Sequence, residues 1–299
     1  MCAATGCSSE DLSIGRQDPS GSDASVTFDA QVSSDVSIDS AVSDASLAAD
    51  SPDGGKFVLV WRDDFDTLDP ARWELAEHTF EENYADFSMA NAVAEGGYLK
   101  IAVRVKPSGS GGKPYSAAEV RTWANVACGK FVVRARIAPA AGVASTFFAF
   151  HDFFQNAAAQ DWNELVMEAS SPSRIDYVYT LENASLPGGK ERVPRTDSIG
   201  FNASQDFHTY GFEWTPTEVR FLVDGVAELT LPSDVAARLN RAKRVVMSAY
   251  PSTRLAPNRT FDPAGLPTEA WYDWIEVYRY TGSCPTAVDG GADAIPSGD

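Results

Sequence analysis

The sequence predicts an all-β protein, either a sandwich or a barrel. Several short segments alternate apolar and polar residues with the two-residue period of a half-buried strand. A glycine pair and an Asp-Gly dipeptide punctuate them as turn signals. Many short strands with little helix are typical of this fold class.

The N-terminal elements follow from this alternation. A first strand is predicted from Phe57 to Phe65, so ordered structure is expected to begin near Phe57. Gly96-Gly97 predicts a turn that leads into an alternating strand at 98–103.

The C-terminal half adds strands, a hairpin and one helix. Asp224-Gly225 is a strong two-residue hairpin signal. The helix is predicted from Ser233 to Ala242, with Ser233 or Asp234 as its N-cap. The strands predicted here are 131–137, 219–223 and 226–231.

Composition and charge restrict the function. The chain has 299 residues, 44% hydrophobic and 11% aromatic, which suits one β domain of roughly 200–250 residues with appendages. The formal net charge of -18 argues against nucleic acid and anionic membranes as partners. A neutral polysaccharide fits better than a heavily sulfated one. No stretch is long and apolar enough to span a bilayer, and we expect a monomer.

Three regions are predicted along the chain. Residues 1–55 form an acidic segment rich in Ser, Asp and Ala, which cannot bury enough apolar surface to order itself and is expected to be a disordered tether. Residues 56–281 form the β domain. Residues 282–299 are expected to be a flexible tail.

The four cysteines leave alternatives open. Cys128 and Cys284 either form a disulfide or remain buried free thiols, and the sequence does not decide between them. The residues before Cys7 resemble the end of a bacterial lipoprotein signal without the preceding apolar segment. Either the start is truncated or the likeness is chance. The first alternative predicts an extracellular or cell-surface location, with a lipid anchor at Cys7.

The most informative segment is 161–168, which contains two glutamates four residues apart. In a strand, Glu164, Val166 and Glu168 share one face, and Leu165 and Met167 share the other. Paired carboxylates on one surface are what glycosidic hydrolysis requires. The alternative is a half-buried strand whose solvent face is acidic.

This segment resembles the Glu-x-Asp-x-Glu active-site strand of glycoside hydrolase family 16. Other segments resemble that family's motifs in the family's order and cover roughly residues 56 to 281. They are 116–121, 143–150, 207–214, 221–226 and 271–278. The chain departs from the pattern at Val166, where the family has the central aspartate.

The resemblance implies a curved β-sandwich of the concanavalin A-like jelly-roll type that cleaves a polysaccharide, with a β-glucan as the expected substrate. It implies Glu164 as nucleophile and Glu168 as general acid/base. The expected substrate-binding residues are Trp162, Glu119, Arg121, Phe150, Tyr179 and Tyr250. Alternatives stay open: Trp162 as a core residue, Glu119 and Arg121 as a surface ion pair, and one of the two aromatic sets, 148/150 or 177/179, as core.

The resemblance also implies a structural calcium at Asp273, Asp64 and Gly97, whose oxygen ligands suit that ion. No cofactor is expected for catalysis. His78, His151 and His208 lack metal-ligand spacing, and His208 is expected to be structural.

Two functions follow. One is a retaining endo-β-glycosidase, which the two glutamates favour. The other is a catalytically impaired carbohydrate-binding sandwich, which Val166 favours because it supplies no charge between them.

Overall fold

Antiparallel β-strands dominate the structure, a computed structural model that describes residues 54–151, 162–182, 186, 189–252 and 260–284. The prediction of an all-β fold is confirmed. The strands are β1 (Phe57–Asp63), β2 (Trp73–Leu75), β3 (Ala85–Phe87), β4 (Ala92–Ala94), β5 (Leu99–Val105), β6 (Tyr115–Thr122), β7 (Gly129–Arg136), β8 (Val143–Phe150), β9 (Trp162–Ser171), β10 (Arg174–Glu182), β11 (Lys190–Ser198), β12 (His208–Thr215), β13 (Glu218–Val223), β14 (Val226–Leu231), β15 (Arg244–Pro251) and β16 (Thr268–Tyr280).

The strands form the two layers of a curved sandwich. One layer runs in the order β11-β10-β9-β8-β15-β6, and the other runs in the order β14-β13-β12-β7-β16-β5. Strands β5 and β6 pair with each other and join the layers at one edge. Strands β1, β2, β3 and β4 pair with β16, β6, β6 and β5 respectively.

Aromatic side chains fill the space between the layers. Phe147 of β8 stacks against Phe212 of β12, with ring centroids 5.3 Å apart. Tyr177 of β10 meets Phe221 of β13 at 5.6 Å. All four are buried. Because aromatic rings bury large apolar areas, these contacts account for much of the cohesion between the layers.

Tyr272 of β16 reaches across the core to the other layer. Its hydroxyl lies 2.9 Å from the carbonyl oxygen of Thr146 and 3.0 Å from that of Ser248, and it donates to them. Burial raises the pKa of Tyr272, so the hydroxyl keeps its proton. The residue thereby supports two adjacent strands, β8 and β15, from below.

The predicted hairpin is confirmed. Strands β13 and β14 join at Asp224 and Gly225, whose φ values of 47° and 76° fit a primed two-residue turn. The Asp224 carboxylate accepts a hydrogen bond from the backbone of Thr209 at 2.9 Å and lies 2.7 Å from Nδ1 of His208. His208 therefore holds this turn, in agreement with its predicted structural role.

The predicted helix exists but is shorter than expected. Helix α1 spans Ser233–Arg238, and Leu239 leaves the helical conformation at φ −80° and ψ 56°. The expected capping by Ser233 or Asp234 is wrong. The N-cap residue is Pro232, whose side chain offers no hydrogen-bonding group.

Cys128 and Cys284 form a disulfide, which resolves the alternative that the sequence left open. The bond joins the residue before β7 to a residue four positions after β16. It therefore fixes Cys284, which lies inside the segment predicted as the C-terminal tail.

Some predictions fall outside the described residues. The acidic tether lies there except for its last two residues, as do Cys2, Cys7 and residues 285–299. No helix in the described ranges is long and apolar enough to cross a membrane.

Candidate active site

Strand β9 places the two glutamates as the alternation predicts. Leu165 and Met167 are buried in the core. Glu164, Val166 and Glu168 face the opposite way and line an open cleft. Val166 therefore lies in the cleft between the two carboxylates.

The cleft has a volume of about 730 Å³. Its floor is made by the outer faces of β8, β9 and β15. Its walls come from the segment 74–82, from β6 and from β11. The lining residues include Glu74, Glu77, His78, Phe80, Glu82, Glu119, Arg121, Thr146, Phe148, Phe150, Trp162, Glu164, Val166, Glu168, Lys190, Arg192, Ser248 and Tyr250.

Glu168 lies deep in this cleft and is only 8% exposed. The Tyr250 hydroxyl donates a hydrogen bond to its Oε2 atom at 3.2 Å. Across the ladder, Glu168 is paired with Thr146 of β8 on one side and with Asp176 of β10 on the other.

Glu164 is more open to solvent. The indole N–H of Trp162 donates to its Oε2 atom at 3.1 Å. Trp162 also packs against Phe150 of β8, with ring centroids 6.4 Å apart. Both glutamates thus accept a hydrogen bond, but Glu164 is half-buried and Glu168 is buried.

On β6, Glu119 and Arg121 share the cleft face. The Arg121 Nε atom lies 3.6 Å from Glu119 Oε1 and 3.5 Å from Glu74 Oε2. His78 Nε2 lies 3.1 Å from Glu119 Oε1. The result is a cluster of polar groups on the far side of the cleft from β9.

The structure brings together five of the six predicted substrate-binding residues. Trp162, Glu119, Arg121, Phe150 and Tyr250 all line the cleft with the two glutamates.

The prediction for Tyr179 is wrong. Tyr179 is paired with Leu165, and both residues point into the core. The same holds for Ile175 and Tyr177, so the cleft face of β10 carries Asp176, Val178 and Thr180 instead. A strand has a period of two, so an error of one residue in matching it to the family's pattern moves every side chain to the other face.

Several cleft residues were missed by the sequence reasoning. His78 was considered only as a metal ligand. Thr146 and Ser248, whose hydroxyls lie 2.6 Å apart on the floor, belong to strands without a charged signature. Lys190 and Arg192 lie on β11, at the end of the cleft near Trp162. Alternation along β11 is the only signal that could have found these two cations.

The cleft is polar in an asymmetric way. Glu74, Glu77, Glu82 and Glu119 make one end acidic, and Lys190 and Arg192 make the other end basic. A chain bound across the strands would therefore meet different partners at its two ends.

The residues expected to bind calcium lie at one corner, where β16 passes from β5 to β1. The Asp273 carboxylate is paired there with Arg134, and Asp64 is paired with Arg62 at 2.6 Å. Gly97 forms the turn before β5 with φ 76°. Within the described ranges no three His, Cys, Asp or Glu residues are grouped closely enough to hold a metal. The expected site combines one acidic side chain with backbone carbonyl oxygens, so the structural calcium stays a prediction.

A curved all-β sandwich with two carboxylates in a long open cleft defines a class of polysaccharide-binding and polysaccharide-cleaving proteins. Residues 73–275 match the family described as "Glycosyl hydrolases family 16", and the chain belongs to that family.

Relatives and solved structures agree with this assignment. A beta-glucanase of Fibrobacter succinogenes is 29% identical over 60% of this chain and 51% of its own length. A beta-glucanase of Acetivibrio thermocellus is 30% identical over 74% of this chain and 62% of its own length. This chain thus spans between half and two thirds of those two relatives.

Two solved structures share the fold. The laminarinase catalytic domain from Thermotoga maritima has a TM-score of 0.64 and 20% identity, and the match covers 76% of this chain and all of that one. A lichenase from a mouse hindgut metagenome has a TM-score of 0.61 and 22% identity, covering 73% and 97% of the two chains.

Proposed function

We propose that this protein is a retaining endo-β-glycosidase that hydrolyses a β-glucan in the open cleft as a monomer. The observation that carries the proposal is the shared cleft face of Glu164, which is half-buried, and Glu168, which is buried. Membership of the family supports it, as does the likeness to the beta-glucanases of Fibrobacter succinogenes and Acetivibrio thermocellus.

The first step forms a covalent intermediate. The Glu164 carboxylate attacks the anomeric carbon, and the bond from that carbon to the glycosidic oxygen breaks. Glu168 gives its proton to the departing oxygen. The indole N–H of Trp162 orients the Glu164 carboxylate, and the Tyr250 hydroxyl orients Glu168.

The second step releases the sugar. Glu168, now a carboxylate, takes a proton from water, and the resulting hydroxide attacks the same anomeric carbon. The bond to Glu164 breaks, and the product keeps the original configuration. This mechanism requires the carboxyl groups to be about 5–5.5 Å apart, so the two side chains must lean together across Val166.

The proposal is tested with Glu164→Gln on a panel of β-1,3, β-1,4 and mixed-linkage glucans. We expect turnover to be lost while the fold and polysaccharide binding remain. Azide should rescue Glu164→Ala by forming a glycosyl azide of inverted configuration. Glu228→Gln is the matched control, because Glu228 is exposed on β14 in the other layer. Undiminished activity in Glu164→Gln would remove this residue from the mechanism.

Val166 favours a second candidate function, a carbohydrate-binding sandwich with impaired catalysis. Val166 provides neither charge nor hydrogen bond between the glutamates. This candidate predicts that the wild-type protein binds glucans, for example in affinity electrophoresis, and releases no reducing ends from any of them.

We also propose an extracellular or cell-surface location, with Cys7 as a candidate lipid attachment site. The disulfide between Cys128 and Cys284 supports an oxidising compartment. Fractionation of cells that express the full chain, with and without Cys7→Ser, tests this proposal.

A further inference from the structure

Trp123 is an exposed aromatic residue at the end of the cleft wall. It follows β6 directly, and its side chain is 52% exposed. Strand β6 ends at Thr122, so contacts rather than alternation place Trp123: the Arg244 guanidinium against its ring is paired with Glu74, which lines the cleft. The ring therefore continues the cleft surface beyond the pocket that holds the two glutamates.

The indole is held in a fixed position. The indole N–H donates to the carbonyl oxygen of Pro70 at 3.0 Å, and the backbone N–H of Trp123 donates to the carbonyl oxygen of Arg72 at 3.0 Å. The Arg244 guanidinium lies over the ring, 5.3 Å from its centroid. Arg244 is only 2% exposed and is paired with Glu74, so it supports one face of the ring from below.

This combination suits a binding platform. An exposed aromatic ring that is fixed before a ligand arrives loses little side-chain entropy on binding. The ring offers a flat apolar surface to the C–H face of a pyranose. The Arg244 guanidinium behind the ring adds a cation–π contact on the opposite face. Glu74 and Arg121 line the cleft nearby and add charged groups beside the ring.

The sheet fixes the distance from Trp123 to the nucleophile. Glu164 is paired with Phe150, and Phe150 is paired with Arg244, which supports Trp123. Three strand spacings therefore separate β9 from β6, or roughly 14 Å at about 4.8 Å each. A hexose unit of a β-glucan is about as long as one strand spacing, so the separation corresponds to about three sugar units.

We propose that Trp123 forms a distal subsite that stacks a sugar ring about three units from the cleaved bond, on the β6 side. The inference rests on the proposed glycosidase function and adds to it a preference for longer chains. A short oligosaccharide bound at Glu164 and Glu168 does not reach the ring, whereas a longer one gains its contact.

The test measures kcat/KM for laminari-oligosaccharides and mixed-linkage β-glucan oligosaccharides, from the disaccharide to the hexasaccharide. In the wild-type protein kcat/KM should rise with each unit until the chain reaches Trp123. In Trp123→Ala, kcat/KM should fall roughly tenfold for the longest substrates, a loss of about 1.4 kcal/mol, and stay unchanged for the shortest. Trp123→Phe keeps an aromatic ring and should recover much of the loss.

Trp271→Ala is the matched control. Trp271 is a half-buried tryptophan on β16 in the other layer, with the Arg136 guanidinium 4.5 Å from its ring centroid. Its replacement should leave the chain-length profile unchanged. Unchanged activity of Trp123→Ala on the shortest substrates shows that this variant is folded.

The outcomes separate the inference from the function beneath it. If the wild type hydrolyses the glucans and Trp123→Ala shows the same dependence of kcat/KM on chain length, the subsite is overturned. The glycosidase proposal is unaffected by that result. An equal loss at every length would assign Trp123 to the fold alone and also overturn it. If the wild type hydrolyses nothing, the test is the retention of each protein in native gels that contain laminarin or mixed-linkage glucan. Retention of the wild type that is lost in Trp123→Ala supports the subsite. Equal retention of the two proteins, or retention of neither, overturns it.

Discussion

Val166 is the residue at which the proposed catalytic face differs most from the family's pattern. It faces the cleft between Glu164 and Glu168 and is neither fully buried nor fully exposed. A charged residue at this position would therefore remain in contact with water. The alternation along β9 is sufficient to predict this orientation from the sequence.

Val166→Asp should alter the pH dependence of hydrolysis. A negative charge beside Glu168 raises the pKa of that carboxyl relative to the wild type, because like charges disfavour ionisation. The acid then stays protonated to higher pH. One pKa unit corresponds to about 1.4 kcal/mol, so the rate near neutrality should rise on the order of tenfold.

The measurement is a pH–rate profile with a melting curve for the same variant. The shift should appear in the basic limb, which reports the essential acid. An unchanged profile in a stable variant would contradict the electrostatic argument. Val166→Asn, similar in size and uncharged, is the control and should leave the basic limb in place.

Asp176 gives the wild-type protein a carboxylate near Glu168 from another strand. The two residues are direct cross-strand partners on β10 and β9, where Cβ atoms are about 4.5–5.5 Å apart. On β15, the Tyr250 hydroxyl donates to Glu168, and Glu164 shares its face of β9. Thr196 of β11 donates to Asp176 from the far side.

Asp176→Asn should therefore lower the pKa of Glu168 relative to the wild type and move the basic limb of the pH–rate profile to lower pH. Activity at low pH should be kept. Asp197→Asn, a change of the same kind on the neighbouring strand β11, is the control. A basic limb that does not move in Asp176→Asn would show that this carboxylate does not influence the acid.

At the level of elements, a small polar cluster joins the edge of the cleft layer to helix α1. The Tyr179 hydroxyl donates to Glu191 Oε1 at 2.5 Å, and Arg238 donates to Glu191 Oε2 at 2.7 Å. The Arg238 guanidinium, and then Tyr179, lower the pKa of Glu191 below its usual 4.5. Burial raises the pKa of Tyr179 to about 12, so this group remains a donor.

Glu191→Gln should make stability less dependent on pH. A carboxyl whose pKa is lowered by folding stabilises the protein above its unfolded pKa, and this contribution is lost as pH falls through the folded pKa. We expect a destabilisation of about 0.5–1 kcal/mol near neutral pH, because the pair is partly exposed. The difference should be smaller at an acidic pH, below the unfolded pKa of the carboxyl, than near neutrality.

The measurement is the free energy of unfolding in urea at both pH values, with Glu228→Gln as the control. A constant difference between wild type and Glu191→Gln across this range would contradict the assigned role of the ion pair.

Helix α1 and strand β10 show where sequence reasoning fails at this scale. The polar start of the helix was visible, but Leu239 leaves the helix and packs, fully buried, in the core. Tertiary packing, not the capping pattern, sets its end. In β10, Ile175, Tyr177 and Tyr179 alternate with Asp176, Val178 and Thr180, so alternation alone places Tyr179 in the core, and the error came from matching the strand to the family's pattern.

For the whole molecule, the disulfide closes a loop of 156 residues between Cys128 and Cys284. The double variant Cys128→Ser/Cys284→Ser should lose about 2–5 kcal/mol of unfolding free energy, because the unfolded chain gains freedom. Glucan hydrolysis should be unchanged below the melting transition, since neither cysteine lines the cleft.

Chemical denaturation of wild type and double variant, each with and without reductant, checks this prediction. Reduced wild type should approach the double variant, and the variant itself should not respond. Identical midpoints for oxidised wild type and variant would show that the bond adds no stability.

The overall architecture was predictable because many segments carry the same signal independently. Alternation, the Asp224-Gly225 turn and the spaced glutamates all agree with one β-sandwich. The disulfide and the Glu119–His78 contact were not predictable, because each depends on how distant strands are placed side by side. The pairing of Asp273 with Arg134 was also not predictable, because the two residues lie on different strands.

The most direct test of the central claim is the anomeric configuration of the first product released from a β-glucan. Proton NMR during early hydrolysis by the wild-type protein should show the β-anomer first, followed by slow mutarotation, as two-step displacement at Glu164 requires. Release of the α-anomer first would contradict the assignment of Glu164 as nucleophile.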